Sequence, residues 1–343
     1  MSYYKNLYIY YFSGTGNALS AAKWIKENGE KENINTYFNS IEIFNNFKLE
    51  QPEGKSLFAF TYPTHGFAAP WLMLKFLWKF PRISNSDVLF INTKAGAKIG
   101  KFFIPGMTGL AQWLSIFIFW YKGYCVKGSL PLDMPHSWTS FFPPNLKSSA
   151  IQITLRCHRI VDKMCNRIFS GGKYFRYTVW TQLWFDILVS LIVPLYIFVA
   201  RFFLAKTLFA SYKCNNCRIC EENCPVNAIE IRNGMPYWKY TCESCMRCMN
   251  ICPRKAIQSW ITRILLISYL FISIGMTYSH LNEYLLFAII SILIFPIYWL
   301  FIKLIHVKII NILFTYTSLT RYWKRYIALE IKPKDLMHRK TNP

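Results

Sequence analysis

The sequence predicts an N-terminal α/β domain built on a parallel sheet, then a small cysteine-rich α+β domain, then a helical membrane hairpin. Three observations carry this: strand-like apolar runs alternating with helical stretches up to about residue 130, eight cysteines crowded between positions 214 and 252, and two uncharged 19-residue runs after them.

Residues 7–12 read as a buried strand and 18–27 as a helix, with a glycine loop between them. The strand signal repeats at 57–62 and 88–92, each followed by a turn-rich loop and a further apolar helical stretch, and 123–130 supplies another strand. Continuously apolar strands joined by helices indicate a parallel sheet covered on both faces. The uncharged run 102–121 is long enough to span a bilayer. It contains Pro105, Gly106, Gly109 and Gln112, and a spanning helix there would separate strand 123–130 from its sheet, so a soluble reading is favoured. Its aromatics Trp113, Phe117, Phe119 and Trp120 suit contact with lipid.

A basic stretch follows, with Lys147, Arg156, Arg159, Lys163, Arg167, Lys173 and Arg176 on an expected helix that Gly171-Gly172 stops. The uncharged segment 187–200, with Pro194 at its centre, is too short to span and reads as interfacial or re-entrant. The runs 264–282 and 284–302, separated only by Glu283, read as a membrane hairpin. Lys255 and Arg263 precede it and Lys303 and Lys308 follow it, which places both ends in the cytoplasm. Positions 1–11 hold no apolar core of signal length, so no secretory peptide is expected. The expected domains are 1–145, a connector 146–211, the cysteine domain 212–259, the hairpin 260–305 and a basic cytoplasmic tail 306–343.

The chain of 343 residues is 53% hydrophobic and carries a net charge of +23. Its cations are scattered and flank apolar runs instead of forming one polar basic face, which favours a membrane surface and argues against nucleic acid. Arg321, Lys324 and Arg325 in the tail suit anionic lipid head groups.

The strongest motif is Cys214-x-x-Cys217-x-x-Cys220-x-x-x-Cys224-Pro225, repeated 28 residues later as Cys242-x-x-Cys245-x-x-Cys248-x-x-x-Cys252-Pro253. Pro225, Ala228 and Ile229 recur as Pro253, Ala256 and Ile257, which marks an internal duplication. Three thiolates two residues apart wrap one face of an iron-sulfur cubane, and the distant fourth reaches the other cluster. One cluster then takes Cys214, Cys217, Cys220 and Cys252, and the other Cys242, Cys245, Cys248 and Cys224. Asn233-Gly234 between the halves signals a type I′ hairpin. Zinc also takes four cysteines, but its motifs pair two ligands from each of two separated knuckles. The region 214–257 resembles bacterial two-cluster 4Fe-4S ferredoxins, which implies one-electron transfer at low potential. Cys125, Cys157 and Cys165 fit no ligand spacing and read as small buried hydrophobes.

Tyr11-Phe12-Ser13-Gly14-Thr15-Gly16-Asn17-Ala18 sits between a strand and a helix, where backbone amides, hydroxyls and the helix N-terminus converge on an anion. It resembles the loop that binds the phosphate of flavin mononucleotide (FMN) in flavodoxins, although Ala18 stands where many flavodoxins have a second threonine. Two further loops, Tyr62-Pro63-Thr64-His65-Gly66-Phe67 and Thr93-Lys94-Ala95-Gly96, follow strand ends at flavodoxin-like intervals and would bracket the flavin ring. His65 suits a hydrogen bond to the flavin or a loop cap, and Tyr62, Phe67 and Trp71 suit ring stacking or core packing.

Taken together, the chain resembles bacterial and archaeal fusions of a flavodoxin-like domain with a two-cluster ferredoxin. The resemblance implies a membrane-associated electron-transfer protein with FMN and two [4Fe-4S] clusters, serving redox partner proteins or a quinone. The alternatives are an FMN-dependent reductase fed by the clusters and a redox-sensing membrane protein.

Overall fold

The computed structural model describes residues 2–42, 51–264 and 298–337, with isolated positions between 266 and 296. They fall into two compact units, one formed by Met1–Ser137, Pro144–Arg201 and Tyr326–Pro343, the other by Trp138–Pro143 and Phe202–Arg325.

The first unit is organised by a seven-stranded sheet. Its first part runs β1 (Asn6–Tyr11), α1 (Asn17–Lys31), β2 (Asn35–Ser40), β3 (Ser56–Pro63), α2 (Trp71–Lys79) and β4 (Ser86–Ile99). Then come β5 (Phe102–Ile104), α3 (Leu110–Tyr121), β6 (Cys125–Pro135), α4 (Lys147–Phe169) and β7 (Tyr174–Phe175). The strand order is β2-β1-β3-β4-β6-β7, all parallel, with β5 antiparallel to β4. Chain direction reverses across the sheet at β1, so right-handed crossovers send α1 and α2 to opposite faces. This is the doubly wound, flavodoxin-like arrangement.

Composition explains the layers. The strands are buried on both faces and read as unbroken apolar runs, with Leu7, Ile9, Leu57, Phe58, Phe60 and Val88 through Ile91 sealed from water. One face holds an aromatic core in which Phe119 of α3 meets Phe60 at 4.9 Å, Tyr124 at 5.0 Å, Phe90 at 5.3 Å and Phe80 at 5.4 Å between ring centres. On the other, α4 buries Ile153, Cys157, Val161, Met164, Cys165 and Ile168 at helical spacing, and it packs beside α1. Cys157 and Cys165 are therefore small core residues, whereas Cys125 is exposed at the start of β6.

Two boundaries differ from expectation. The strand expected to end at Asn92 continues to Ile99, and the strand expected at 123–130 runs to Pro135. The cause is mutual: pairs from Asn92↔Pro131 through Gly96↔Pro135 keep both backbones in the ladder past the point where a turn was expected. The run 102–121 forms β5, a loop and the 12-residue α3, not a spanning helix.

Beyond β7 the chain forms α5 (Thr178–Thr181), α6 (Leu183–Ser190), α7 (Val193–Leu195) and a π-helical turn at Tyr196–Ala200 that leads into α8 (Arg201–Lys206). Among the described residues no single helix is long and apolar enough to cross a membrane. Leu183–Ser190 with Val193–Lys206, bent by 48°, and Tyr298–Leu304 with Lys308–Thr317, bent by 116°, are apolar enough only as pairs. The expected hairpin, runs 264–282 and 284–302, lies for the most part outside the described residues.

The second unit carries β8 (Leu208–Ala210), α9 (Ile219–Glu222), β9 (Ile229–Arg232), β10 (Met235–Trp238), α10 (Arg247–Ile251), β11 (Ile257–Ser259) and α11 (Lys308–Thr317). β9 and β10 form a hairpin across Asn233 and Gly234, both at positive φ, as the Asn-Gly pair predicts. β8 pairs antiparallel with β11, closing the duplicated half on a strand that cysteine spacing does not reveal.

Phe119→Ala removes the centre of the aromatic core and is expected to cost about 3–5 kcal/mol of stability. Urea denaturation followed by tryptophan fluorescence measures it.

Candidate functional site

The cysteine repeat folds as a structural repeat. Asn216 and Arg218 take left-handed φ before α9, Ser244 and Met246 do so before α10, and Asn227 and Lys255 follow in matching places. These turns point successive thiols inward. The fourth cysteines match as well, since the Ala228 N–H donates to Cys224 Sγ at 3.2 Å and the Ala256 N–H to Cys252 Sγ at 3.3 Å. Such N–H···S bonds stabilise thiolates and tune a bound cluster.

The thiols group in crossed sets. Burial pushes the Cys220 thiol up to about 12, reinforced by Cys252, Cys214 and Cys217 around it. Burial also raises Cys242, whose neighbouring thiols include Cys245 and Cys224. Cys248 rises through burial and then through Cys242, Cys245 and Cys220, so it stands where the two sets approach. The fourth cysteine of each motif thus joins the other motif's first three. Burial thus holds Cys220, Cys242 and Cys248 protonated without metal, and ligation by a thiolate expels such a proton. Among the described residues no three His, Cys, Asp or Glu side chains gather tightly enough for a single ion. A cubane instead binds four thiolates at four separate irons, which calls for a wider cage.

Two arginines at this site were not legible as site residues. Arg247, inside the second motif, is fully buried and donates to Asn223 O at 3.3 Å. Arg325 donates to Lys255 O at 3.0 Å and Ile257 O at 2.6 Å. Burial lowers it to about 10, opposed by the Cys252 and Cys248 thiols, so it stays charged at neutral pH. It lies close to Cys252 and Cys248. A cation there favours the more negative, reduced form of a cluster.

In the first unit, Ser13–Asn17 links β1 to α1. Gly16 takes φ 103°, and its N–H donates to Ser13 Oγ at 3.1 Å, which closes the loop on itself. The opening amides of α1, at Asn17, Ala18 and Leu19, precede any intrahelical acceptor, and no acid sits in its first turn. The Asn17 side chain is fully engaged: Nδ2 donates to Pro135 O at 2.8 Å, and Oδ1 accepts from the Tyr326 hydroxyl at 2.6 Å.

Tyr326 begins a C-terminal strap, within the segment 306–343 that the sequence reads as a basic tail. The Ala328 N–H donates to Thr15 O at 2.9 Å, and a Cβ on Gly16 would meet Ala328 and Ile331 at 3.0–3.1 Å. Trp24 Nε1 donates to Glu330 at 2.8 Å and Lys23 pairs with Asp335 at 3.1 Å, fixing the strap along α1. The strap engages the carbonyl side of the loop and seals Ser13, Thr15 and Asn17 from water.

The other two expected loops are arranged differently. Pro63 ends β3 opposite Thr93, the Thr64 N–H donates to Thr93 O at 2.8 Å, and Thr64 Oγ1 accepts from Asn92 at 3.1 Å. His65 and Ala68 exchange backbone hydrogen bonds, and the ring of Tyr196 lies over Gly66, where a Cβ would clash at 2.2 Å. Thr93, Ala95 and Gly96 are not a loop; they remain in β4, paired with Leu132, Met134 and Pro135. Tyr62 is a core residue whose hydroxyl meets Ala111 O at 2.9 Å and Ser115 Oγ at 2.8 Å.

Residues 213–257 match the 4Fe-4S dicluster domain family. No curated protein matches the chain. Among solved structures, a flavodoxin from the domain Archaea is 16% identical and covers 48% of this chain and 98% of its own length, at a TM-score of 0.32. The Trp repressor binding protein from Bacillus subtilis is 12% identical and covers 49% and 99%, at a TM-score of 0.27. The fold assignment rests on strand order and register. The chain joins a flavodoxin-like α/β unit to a two-cluster ferredoxin-type domain, an architecture of electron transfer.

The residues fit the phosphate end of a flavin: left-handed Gly16, the free helix amides, the Thr15 hydroxyl and the absence of acid make an anion cradle. On the ring side, 93–96 stay in β4 and the Tyr196 ring lies over Gly66, so the two segments do not take the expected loop form.

Two expectations follow. Cys224→Ala and Cys252→Ala should each disturb mainly the cluster held by the opposite motif, seen as loss of one of two electron paramagnetic resonance signals with iron falling toward about half of roughly eight per chain. Truncation after Arg325 uncovers the loop, so hydrogen exchange at Gly14 to Asn17 should accelerate by at least about tenfold while the cluster signals persist.

Proposed function

We propose that this protein is a membrane-associated electron carrier that exchanges electrons between FMN, held at Ser13–Ala18, and two [4Fe-4S] clusters, held by Cys214, Cys217, Cys220 and Cys252 and by Cys242, Cys245, Cys248 and Cys224. The observation that carries the reading is the crossed cysteine repeat on the same chain as a doubly wound sheet whose first β-α loop is an anion cradle. When bound, the clusters supply one-electron chemistry and FMN supplies one- or two-electron chemistry. The chain's own contribution is to hold and insulate. Buried thiols and N–H···S bonds fix the cluster cage, Arg325 offsets its negative charge, and the strap keeps water from the phosphate loop. Beyond His65, the sequence offers no convincing proton donor at the expected flavin loops, which favours a carrier over a reductase.

Membrane association is supported by an exposed apolar face. Trp120 of α3 and Trp184, Ile187 and Leu191 on and after α6 are 60–77% exposed, and α6 packs beside α3. Solvated apolar patches of this kind, rich in tryptophan, suit a bilayer interface, and the sequence runs 264–282 and 284–302 supply the hydropathy of an anchor. The partners are redox proteins or a quinone, and the cofactor domains face the cytoplasm.

Anaerobic purification in detergent, with iron, sulfide and flavin quantitation, tests the reading. The expected result is about eight irons and one FMN per chain, with co-flotation on anionic vesicles. Eight irons without flavin would reduce the protein to a tethered ferredoxin, and zinc in place of iron would sink the proposal.

A further inference from the structure

Beside the carboxyl-terminal parts of β4 and β6, against α4, the first unit has a partly open cavity of about 130 Å3. Its polar lining includes Asp133, Arg156, Arg176, Thr178, Thr181 and Gln182. At about 30 Å3 per water, it has room for roughly four waters or one small solute. Open α/β sheets bind ligands outside the carboxyl ends of their strands. None of Ser13–Ala18 or Pro63–Gly66 lines this cavity; of the expected flavin residues only Gly96 touches it.

The charges are unequal. Asp133 Oδ1 accepts from the Gly106 N–H at 2.9 Å and lies 3.5 Å from the buried Lys94 Nζ, while Oδ2 lies 3.7 Å from Arg176 Nη1. Its single negative charge is thus shared by two cations. Arg156 comes from α4, its guanidinium 4.3 Å from the centre of the Phe103 ring, and among the described residues no carboxylate pairs with it. Cys157 adds no negative charge, because burial pushes its thiol up to about 12. Thr178 also lines the cavity and is buried, but its hydroxyl is sealed from the cavity space, so the anion-facing donors are the arginines.

We propose that this cavity binds a small oxyanion, a carboxylate or phosphate group, through Arg156 and Arg176. The excess of cationic charge selects an anion, the cavity limits it to a few heavy atoms, and Phe103 and Tyr177 supply an apolar wall. The site stands independently of flavin binding.

The test is calorimetric titration of the full-length, cluster-loaded chain in detergent with inorganic phosphate and, separately, with succinate. Saturable binding of either is expected, and the one that binds identifies the source. Arg156→Gln should weaken it on the order of tenfold to a hundredfold, the loss of a charged hydrogen bond. Arg156→Lys, which keeps the charge but loses the planar fork, should weaken it several-fold with iron content unchanged and carries the test if Arg156→Gln fails to fold. No saturable heat with either anion, equal affinity in both variants, or competitive displacement by FMN would overturn the assignment of a separate anion site.

Discussion

The pairing of β4 with β6 is the constraint on which the first unit turns. Ten residue pairs, from Asp87↔Cys125 to Gly96↔Pro135, carry the ladder well past the sheet's carboxyl edge. Because those backbones bond each other, residues 93–96 cannot curl into a loop, and Lys94 is drawn into the interior. A buried ammonium must find partners. Lys94 has Gly106 O at 2.9 Å and Gln182 Oε1 at 2.6 Å, with Asp133 close by, so the loop before α3 and the start of α6 are tied to the strand ends. That ladder, whose register shifts once between Val88 and Leu89, thereby shapes the region around the β4 and β6 termini, including the cavity beside α4.

The second unit obeys a different rule. Around the cysteines its strands are three or four residues long and its helices α9 and α10 four and five, too little apolar surface to specify a fold alone. What organises it is the repeat itself, with left-handed turns at matched positions and two crossed sets of thiols. Crossing makes each motif incomplete without its twin, so metal binding and folding are coupled across both halves.

The chain's return to its own beginning is the least expected feature. Tyr326, Ala328 and Glu330 are ordinary residues in a basic tail, yet they engage Asn17, Thr15 and Trp24 on the first β-α turn. The anion loop is therefore a joint construction of the two ends of the chain. Its amide side comes from the glycine loop and α1, and its carbonyl side is closed by the strap.

How much was legible follows from the range of the forces involved. The sequence alone determined the two-cluster ferredoxin-type domain and the Asn233-Gly234 hairpin, because motif spacing and turn chemistry act over a few residues. It also determined the parallel α/β class and the position of the glycine loop, since apolar runs and helix starts are local signals. Only the tertiary structure decided that β4 runs to Ile99, that Arg325 lies close to Cys252 and Cys248, that Tyr62 is core, and that the C-terminal strap closes over Gly16. Each of these depends on a partner dozens to hundreds of residues away. Burial and hydrogen-bond satisfaction select such partners only after the chain has folded, and no local pattern encodes them.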